Sequence, residues 1–392
     1  MTDTSPLQTS YWVFAACPPG LEDITAKEIE NLGISGSPEP GGIEFRGSLR
    51  EIYLANLMLR TASRILVRLG TFKATSFRTL VQRISRYPWE LYVHHPGTLK
   101  LRVSCSYSRL YHTRAIEQRV HHGISLRLQR KRPGPHKGQT HQADTSALVI
   151  VRFLRDSCTV SIDSSGEHLH RRGYRIRSVL APLRENLAAA MLLTSGWTPD
   201  MPLIDPFCGS GTIPIEAAMM AKGIPPGSFR SFAFEKWRNF DRRLWTDLKK
   251  QSVSLDCSAG PVIIASDRSP KALSAVAQNA EKAGVSDSIQ IINRPVSKLS
   301  PPIPGPGWII CNPPYGKRIG QEKAVIYMFQ TLGRVVRERF PGWRLALLCP
   351  HYTLQRALAL RMEKVTAFSN GGVHVELLRQ KPTTGVELGM AD

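Results

Sequence analysis

Apolar and polar positions recur along the chain in blocks that predict its elements. "YWVFAACPPG" (11–20) is a strand closed by a Pro-Pro-Gly turn. In "LEDITAKEIENLGI" (21–34), Leu21, Ile24, Ile29 and Leu32 recur at roughly helical spacing, and Gly33 is a natural stop. "GGIEFRG" predicts a short strand between glycines, and "LREIYLANLMLRTASRILVRLGTF" a helix that runs on toward a strand. Residues 1–60 therefore fit a small α+β unit. Further on, "LKLRVSCSYS" predicts a strand, and "ALVIVRFLRDSCTVSIDSS" two strands about a turn at Arg155-Asp156. "GEHLHRRGYRIRSVLAPLRENLAAAMLLTSGW" (166–197) begins as a basic connector and ends as a helix that stops near Gly196.

From residue 200 strands and helices alternate. "PLIDPFCGSG", "GPVIIASDRS", "IQIINRPV", "GWIICNPPYG" and "RLALLCP" predict strands, and "TIPIEAAMMAKG" and "PKALSAVAQNAEKAGV" helices. Repeated βα units predict an α/β fold with a doubly wound, mostly parallel sheet, whose ligands sit beyond the carboxyl ends of the strands. The segment "GIPPGSFRSFAFEKWRNFDRRLWTDLKKQ" interrupts this rhythm. It is rich in Trp, Phe and Arg and is expected to be able to pack over the site.

Charge adds a partner. The chain has 392 residues, 42% of them hydrophobic, and a formal net charge of +21, a field that attracts polyanions. The excess concentrates in residues 61–137, which hold sixteen Lys or Arg against only Glu90 and Glu117. Phe72, Phe77, Tyr87, Trp89, Tyr92, Tyr107 and Tyr111 lie among them. Basic side chains interleaved with aromatics suit RNA, because phosphates take the charge and unpaired bases stack. The alternative is a solvated basic face over core aromatics. "LQRKRPGPHKGQT", with Arg130, Lys131 and Arg132, is expected to be an exposed basic loop that contacts RNA. No apolar run reaches the roughly 18 residues of a membrane span, and the N-terminus lacks a signal-peptide pattern. The seven cysteines form no CxxC pair, which leaves a zinc site or disulfide framework without support and points to a reducing, cytoplasmic location.

The candidate chemistry lies at strand ends. "DPFCGSG" (205–211) places Asp205, Pro206, Cys208, Gly209 and Gly211 between a strand and a helix, where glycines let the backbone approach a ligand. It matches neither GxxxxGK[ST] nor GxGxxG. Asp267 ends "VIIASD" and is placed to accept ribose hydroxyls, or else to act as a turn acid ahead of the next helix. "NPPY" (312–315) offers the Asn312 side-chain carbonyl, the backbone carbonyl of Pro313 and the Tyr315 ring. Two acceptors converging on an amine can orient it and disperse its charge as it is attacked. Alone the tetrapeptide would often be a turn; after the other two motifs it points to a planar amine.

In that order the motifs resemble class I S-adenosylmethionine-dependent methyltransferases acting on exocyclic or amide nitrogens. "LHRRGYR", "APLRENLAAAML", "PLIDPFCGSGTIPIEAA", "NPPYGKRIG" and "SNGG" narrow the resemblance to THUMP-containing RNA methyltransferases. Within these, the chain is most similar to bacterial enzymes that methylate the 2-amino group of guanine in 23S rRNA. The resemblance implies a ferredoxin-like unit at 1–60, a THUMP RNA-binding domain at 61–165, and a connector with a Rossmann-like methyltransferase domain at 166–392. It implies S-adenosylmethionine as cofactor, held by Asp205, Pro206, Cys208, Gly209, Gly211 and Asp267, with Glu185 and Asn186 nearby. It implies catalysis by Asn312, Pro313, Pro314 and Tyr315, no metal, and an RNA or site-edge role for Arg171, Arg172, Tyr174 and Arg175. Many relatives carry an acid after the third strand that contacts adenine; here Arg294 and Pro295 stand there. Relatives can also be fused to a second methyltransferase half, for which the stretch after Tyr315 is too short. The remaining alternatives are a tRNA or adenine-amine enzyme of the same fold, a glutamine-amide enzyme, and a non-catalytic RNA-binding factor in ribosome assembly.

Overall fold

The computed structural model describes residues 10–130, 147–178, 182–252, 260–315 and 322–381. Its elements begin with β1 (Tyr11–Ala16), α1 (Glu22–Asn31), β2 (Gly36–Glu39), β3 (Gly42–Gly47), α2 (Leu49–Met58), β4 (Arg64–Lys73), α3 (Phe77–Ile84), β5 (Leu99–Ser106), α4 (Thr113–Arg130), β6 (Ala147–Leu154) and β7 (Ser157–Asp163). They continue with α5 (Glu185–Ser195), β8 (Leu203–Asp205), α6 (Thr212–Ala221), α7 (Arg242–Gln251), β9 (Ile263–Ser266), α8 (Pro270–Lys282) and β10 (Ile289–Ile292). The last are β11 (Trp308–Cys311), α9 (Glu322–Arg339), β12 (Arg344–Cys349), α10 (Tyr352–Ala357), β13 (Met362–Asn370) and β14 (Val373–Gln380). No helix among the described residues is long and apolar enough to cross a membrane.

The chain divides into two compact units. One comprises residues 1–17, 25–169 and 230–251, the other 18–24, 170–229 and 252–392. In the first, one seven-stranded sheet runs β2-β3-β1-β4-β7-β6-β5, antiparallel except for the β5–β6 pair. β4 pairs with both β1 and β7, so a single sheet takes strands from both sides of residue 60. Helix α2 starts at a capping box: the Ser48 hydroxyl accepts from the Arg50 amide while the Ser48 amide donates to Glu51.

The core of this unit takes in the aromatic insert and most aromatics of the basic stretch. Phe232, Phe234, Trp237, Trp245 and Leu248 join the buried core of the first unit. Tyr53 stacks on Phe234 at 4.3 Å, Trp245 meets Phe234 edge-on at 5.2 Å, and Trp237 meets Tyr92 at 4.9 Å. Arg230 fixes the start of the insert by donating to the carbonyls of Ser165, Glu167 and His168. Among the aromatics of the basic stretch, Trp89 and Tyr92 are core residues, and Phe72, Phe77 and Tyr87 pack against the core; Tyr107 and Tyr111 are exposed.

In the second unit the sheet order is β10-β9-β8-β11-β12-β14-β13, with the first five strands parallel and β14 and β13 antiparallel. β8, β9 and β11 are buried throughout and β12 nearly so, as expected for parallel strands covered on both faces. The chain runs outward from β8 through β9 to β10 and returns to β11 on the other side of β8. Strand order reverses between β8 and β11, which opens a crevice beyond their carboxyl ends.

Candidate active site

Three adjacent strand ends meet at that crevice. Asp205 is the last residue of β8, Asp267 follows β9, and Asn312 follows β11. The loop after β8 is pinned by backbone donors. The Cys208 amide donates to the Ser266 carbonyl (3.0 Å) and the Gly211 amide to the Cys208 carbonyl (2.8 Å), while the Gly209 amide donates to Asp267 Oδ2 (3.1 Å). Gly211 has φ 84°, and a Cβ there would fall 2.9 Å from Val276 Cγ1 of α8. Only glycine fits both demands. Pro206 and Cys208 are buried, and burial pushes the Cys208 thiol far up, so it packs as a neutral side chain.

Asp205 is 2% exposed and accepts from the Phe207 amide at 3.0 Å. Burial, and then the nearby charge of Asp267, push its carboxyl well above the usual carboxylate range. Asp267 takes the turn role foreseen for it. Its Oδ1 accepts from the Ser269 amide at 2.9 Å, a turn that leads into α8, where Ser269 is the N-cap. Each carboxylate oxygen of Asp267 takes one backbone N–H and keeps further acceptor capacity for ribose hydroxyls. Just after β10, Asn293 Nδ2 donates to the Asp267 carbonyl (3.0 Å), and the Ser266 hydroxyl to the Arg294 carbonyl (2.9 Å).

The connector is a correction in part. Arg172 and Tyr174 are buried and turned toward Glu216 of α6: Arg172 Nε lies 3.4 Å and Tyr174 Oη 3.2 Å from Glu216 Oε1. A buried cation and phenol aimed at one buried carboxylate make an internal anchor rather than an RNA contact. Arg175 is also largely turned inward. Its guanidinium donates to Glu185 (2.8 Å), Ser210 (2.9 Å), Thr212 (2.9 Å) and the Leu183 carbonyl (3.0 Å), clamping the glycine loop to the start of α5. The Glu185 charge raises the Arg175 pKa against the opposing effect of burial. Glu185 and Asn186 lie buried in the first turn of α5. Arg171 is exposed. Arg130 is the last residue of α4, and Lys131 and Arg132 lie outside the described residues.

At NPPY, Pro313 is buried, Pro314 exposed and Tyr315 half-buried. The Asn312 Oδ1 atom is buried and has no hydrogen-bond partner among the described residues. Buried carbonyl oxygens are rarely left so, because an unmade hydrogen bond costs about 1–3 kcal/mol. The Tyr315 hydroxyl accepts from Asn370 Nδ2 at 2.7 Å, at the turn between β13 and β14. Burial raises the Tyr315 pKa and the Asn370 bond partly offsets it.

Sequence reasoning missed three working side chains. Asn279 is fully buried; its Oδ1 accepts from the Ile176 and Arg177 amides and its Nδ2 donates to the Arg177 and Ser210 carbonyls. It stitches connector, glycine loop and α8 together. Glu216 receives Arg172 and Tyr174, and Asn370 holds Tyr315. For the first two, a polar residue on the apolar face of a helix was the available signal. For Asn370 it was "SNGG", noted only as a signature.

A glycine loop, an acid and an asparagine at adjacent strand ends of such a sheet define a class I methyltransferase fold. Residues 172–381 match the RMKL-like methyltransferase domain, and residues 13–66 the RlmL ferredoxin-like domain. The chain belongs to the RMKL-like methyltransferase family. It is 34% identical over 385 residues to slr0064 of Synechocystis, provisionally named an RNA methyltransferase, covering 97% of this chain and 99% of that one. It is 33% identical over 378 residues to the ribosomal RNA large subunit methyltransferase K/L of Marinomonas, covering 93% of this chain and 52% of the relative, about half its length. The solved structure of SMU.472, complexed with SAH, superposes with a TM-score of 0.85 at 29% identity, covering 96% of this chain and 99% of that one.

Proposed function

We propose that the protein transfers a methyl group from S-adenosylmethionine to the exocyclic 2-amino group of a guanine in RNA, with 23S rRNA as substrate. The observation that carries this reading is the buried Oδ1 of Asn312 at the sheet's switch point, which has no partner among the described residues. An exocyclic amine supplies the donor that this acceptor lacks. The RNA assignment draws on the basic stretch 61–137 and on the curated relatives, and residues 61–165 would then be a THUMP RNA-binding region.

The residues present fit the cofactor. Asp267 would take the ribose hydroxyls, and the backbone around Gly209 and Gly211 would line the amino-acid end. A cationic amine beside Asp205 would offset the burial of that carboxylate. When bound, S-adenosylmethionine supplies a methyl group already activated by a sulfonium charge. The protein's task is therefore positioning and charge dispersal. The guanine enters unpaired or flipped, since its amine must reach the crevice. Asn312 Oδ1 and the Pro313 carbonyl accept its N–H groups and aim the nitrogen. The Tyr315 ring stacks on the base, and the Asn370 bond limits tilting of that ring. The amine's proton leaves to water after transfer.

Methyl transfer to deproteinised 23S rRNA, tRNA and DNA, with wild type and Asn312→Ala, tests the proposal. Labelling of 23S rRNA that falls at least 100-fold in the variant supports it. Labelling confined to tRNA or to adenine moves the substrate, and RNA binding without labelling rejects the enzyme.

A further inference from the structure

The first unit carries a concave groove of about 790 Å³ between α3 and α4. Its floor is apolar, formed by the half-buried Phe77, Val81 and Leu126. Its rim is basic: Arg78, Arg86, Arg119 and His122 line it and are exposed. Arg127 also lines it and is engaged by Glu90 through hydrogen bonds of 3.0 and 2.7 Å, so it serves as wall. No Asp or Glu is among the described residues that line the groove. The spacing of the two helices is set by backbone packing. At Gly123 of α4 a Cβ would lie 2.8 Å from Ile84 Cγ2 and 3.1 Å from the Val81 carbonyl oxygen of α3.

The Arg119 guanidinium carbon lies 5.7 Å from the centre of the Phe77 ring. An aromatic face and a guanidinium plane thus meet inside a basic rim, which is the equipment that stacks bases and binds phosphates. The bases of a duplex are stacked on one another and offer no face to such a floor; an unpaired strand does. Acidic side chains would satisfy the rim but have no planar ring to set against Phe77, whereas each nucleotide supplies a phosphate and a ring together.

We propose that this groove seats an unpaired stretch of the RNA substrate, with phosphates on Arg78, Arg86 and Arg119 and a base against Phe77. The proposal rests on the RNA reading above and adds a docking surface to it.

The test uses the full chain, the double variant Arg78→Ala/Arg119→Ala, and Phe77→Leu, each first checked for an unchanged melting curve and unchanged S-adenosylmethionine binding. Dissociation constants are measured against salt for a 4-thiouridine-containing single strand and for a hairpin duplex, and photocrosslinks are mapped by peptide. For the single strand, the double variant should weaken binding about 10-fold and reduce the log–log salt slope by about 1.4, or about 0.7 per charge. Phe77→Leu should weaken binding without changing the slope, and wild-type crosslinks should fall in residues 77–86 or 119–127. Unchanged affinity and slope, crosslinks elsewhere, or equal losses for strand and duplex would overturn the proposal. If wild type neither binds nor labels RNA, the RNA reading itself has failed; if wild type labels RNA while the variants bind normally, only the groove has.

Discussion

Asn370 Nδ2 sits 2.7 Å from the Tyr315 hydroxyl oxygen, so the hairpin between β13 and β14 holds the tyrosine of the NPPY motif from the opposite side of the chain's order. The bond matters through the ring it positions. Asn370→Ala should lower kcat/KM for RNA about 5–10-fold, the size of one hydrogen bond of roughly 1 kcal/mol. Tyr315→Phe should do the same, and the double variant should be no worse than either. Additive losses in that cycle would separate the two residues.

Arg175 places four hydrogen bonds on Glu185, Ser210, Thr212 and Leu183. A lysine has three donors on a single point and cannot span this set. Arg175→Lys should therefore loosen the glycine loop and weaken S-adenosylmethionine binding about 10-fold or more, or at least about 1.4 kcal/mol. Titration calorimetry measures this directly. An unchanged affinity would mean that the loop keeps its shape without the clamp.

Burial of Asp205 should make the stability of the folded protein depend on pH. Its folded pKa lies above the ordinary 3.8, so between 3.8 and its raised value the folded protein binds more protons than the unfolded chain. Stability from this group is therefore present at low pH and falls as pH rises through that window. Asp205→Asn should raise the stability of the ligand-free protein at pH 7 by about 1–2 kcal/mol and flatten this pH dependence. The same change should weaken cofactor binding, whose wild-type affinity should increase with pH across the window as a proton is released. Denaturant melts at several pH values, with and without cofactor, check both signs.

The insert 230–251 belongs to the first unit's core, so that unit is incomplete as residues 1–169 alone. Such a fragment would expose the apolar face around Tyr53 and should not fold cooperatively. The same fragment joined to residues 230–251 by a flexible linker should. In the full chain, Trp245→Ala should cost about 3–5 kcal/mol, the range for a large buried aromatic. Urea melts followed by circular dichroism distinguish these cases.

Much of the second unit was legible because parallel strands are short, continuous apolar runs, and because Asp205, Asp267 and Asn312 stand where such runs stop. The first unit was harder. α4 carries His121, His122 and Gly123 in mid-helix, which blurs its periodicity; in the second unit the β13–β14 hairpin, only half-buried, was hard to read as well. The destination of the aromatic insert was not legible at all, since its partners Tyr53 and Tyr92 lie far away in sequence. The connector misled for a related reason. Arg172 and Tyr174 look like exposed basic and aromatic contacts until Glu216, on an otherwise apolar helix, is brought against them.

The central claim is that Asn312 presents an acceptor to a guanine amine in ribosomal RNA. Mass-spectrometric mapping of modified guanines in 23S rRNA from a strain lacking this protein, complemented with wild type or with Asn312→Ala, tests it most directly. One N2-methylguanine should vanish on deletion, return with wild type and stay absent with the variant. Full modification in the deletion strain, or restoration by Asn312→Ala, would contradict it.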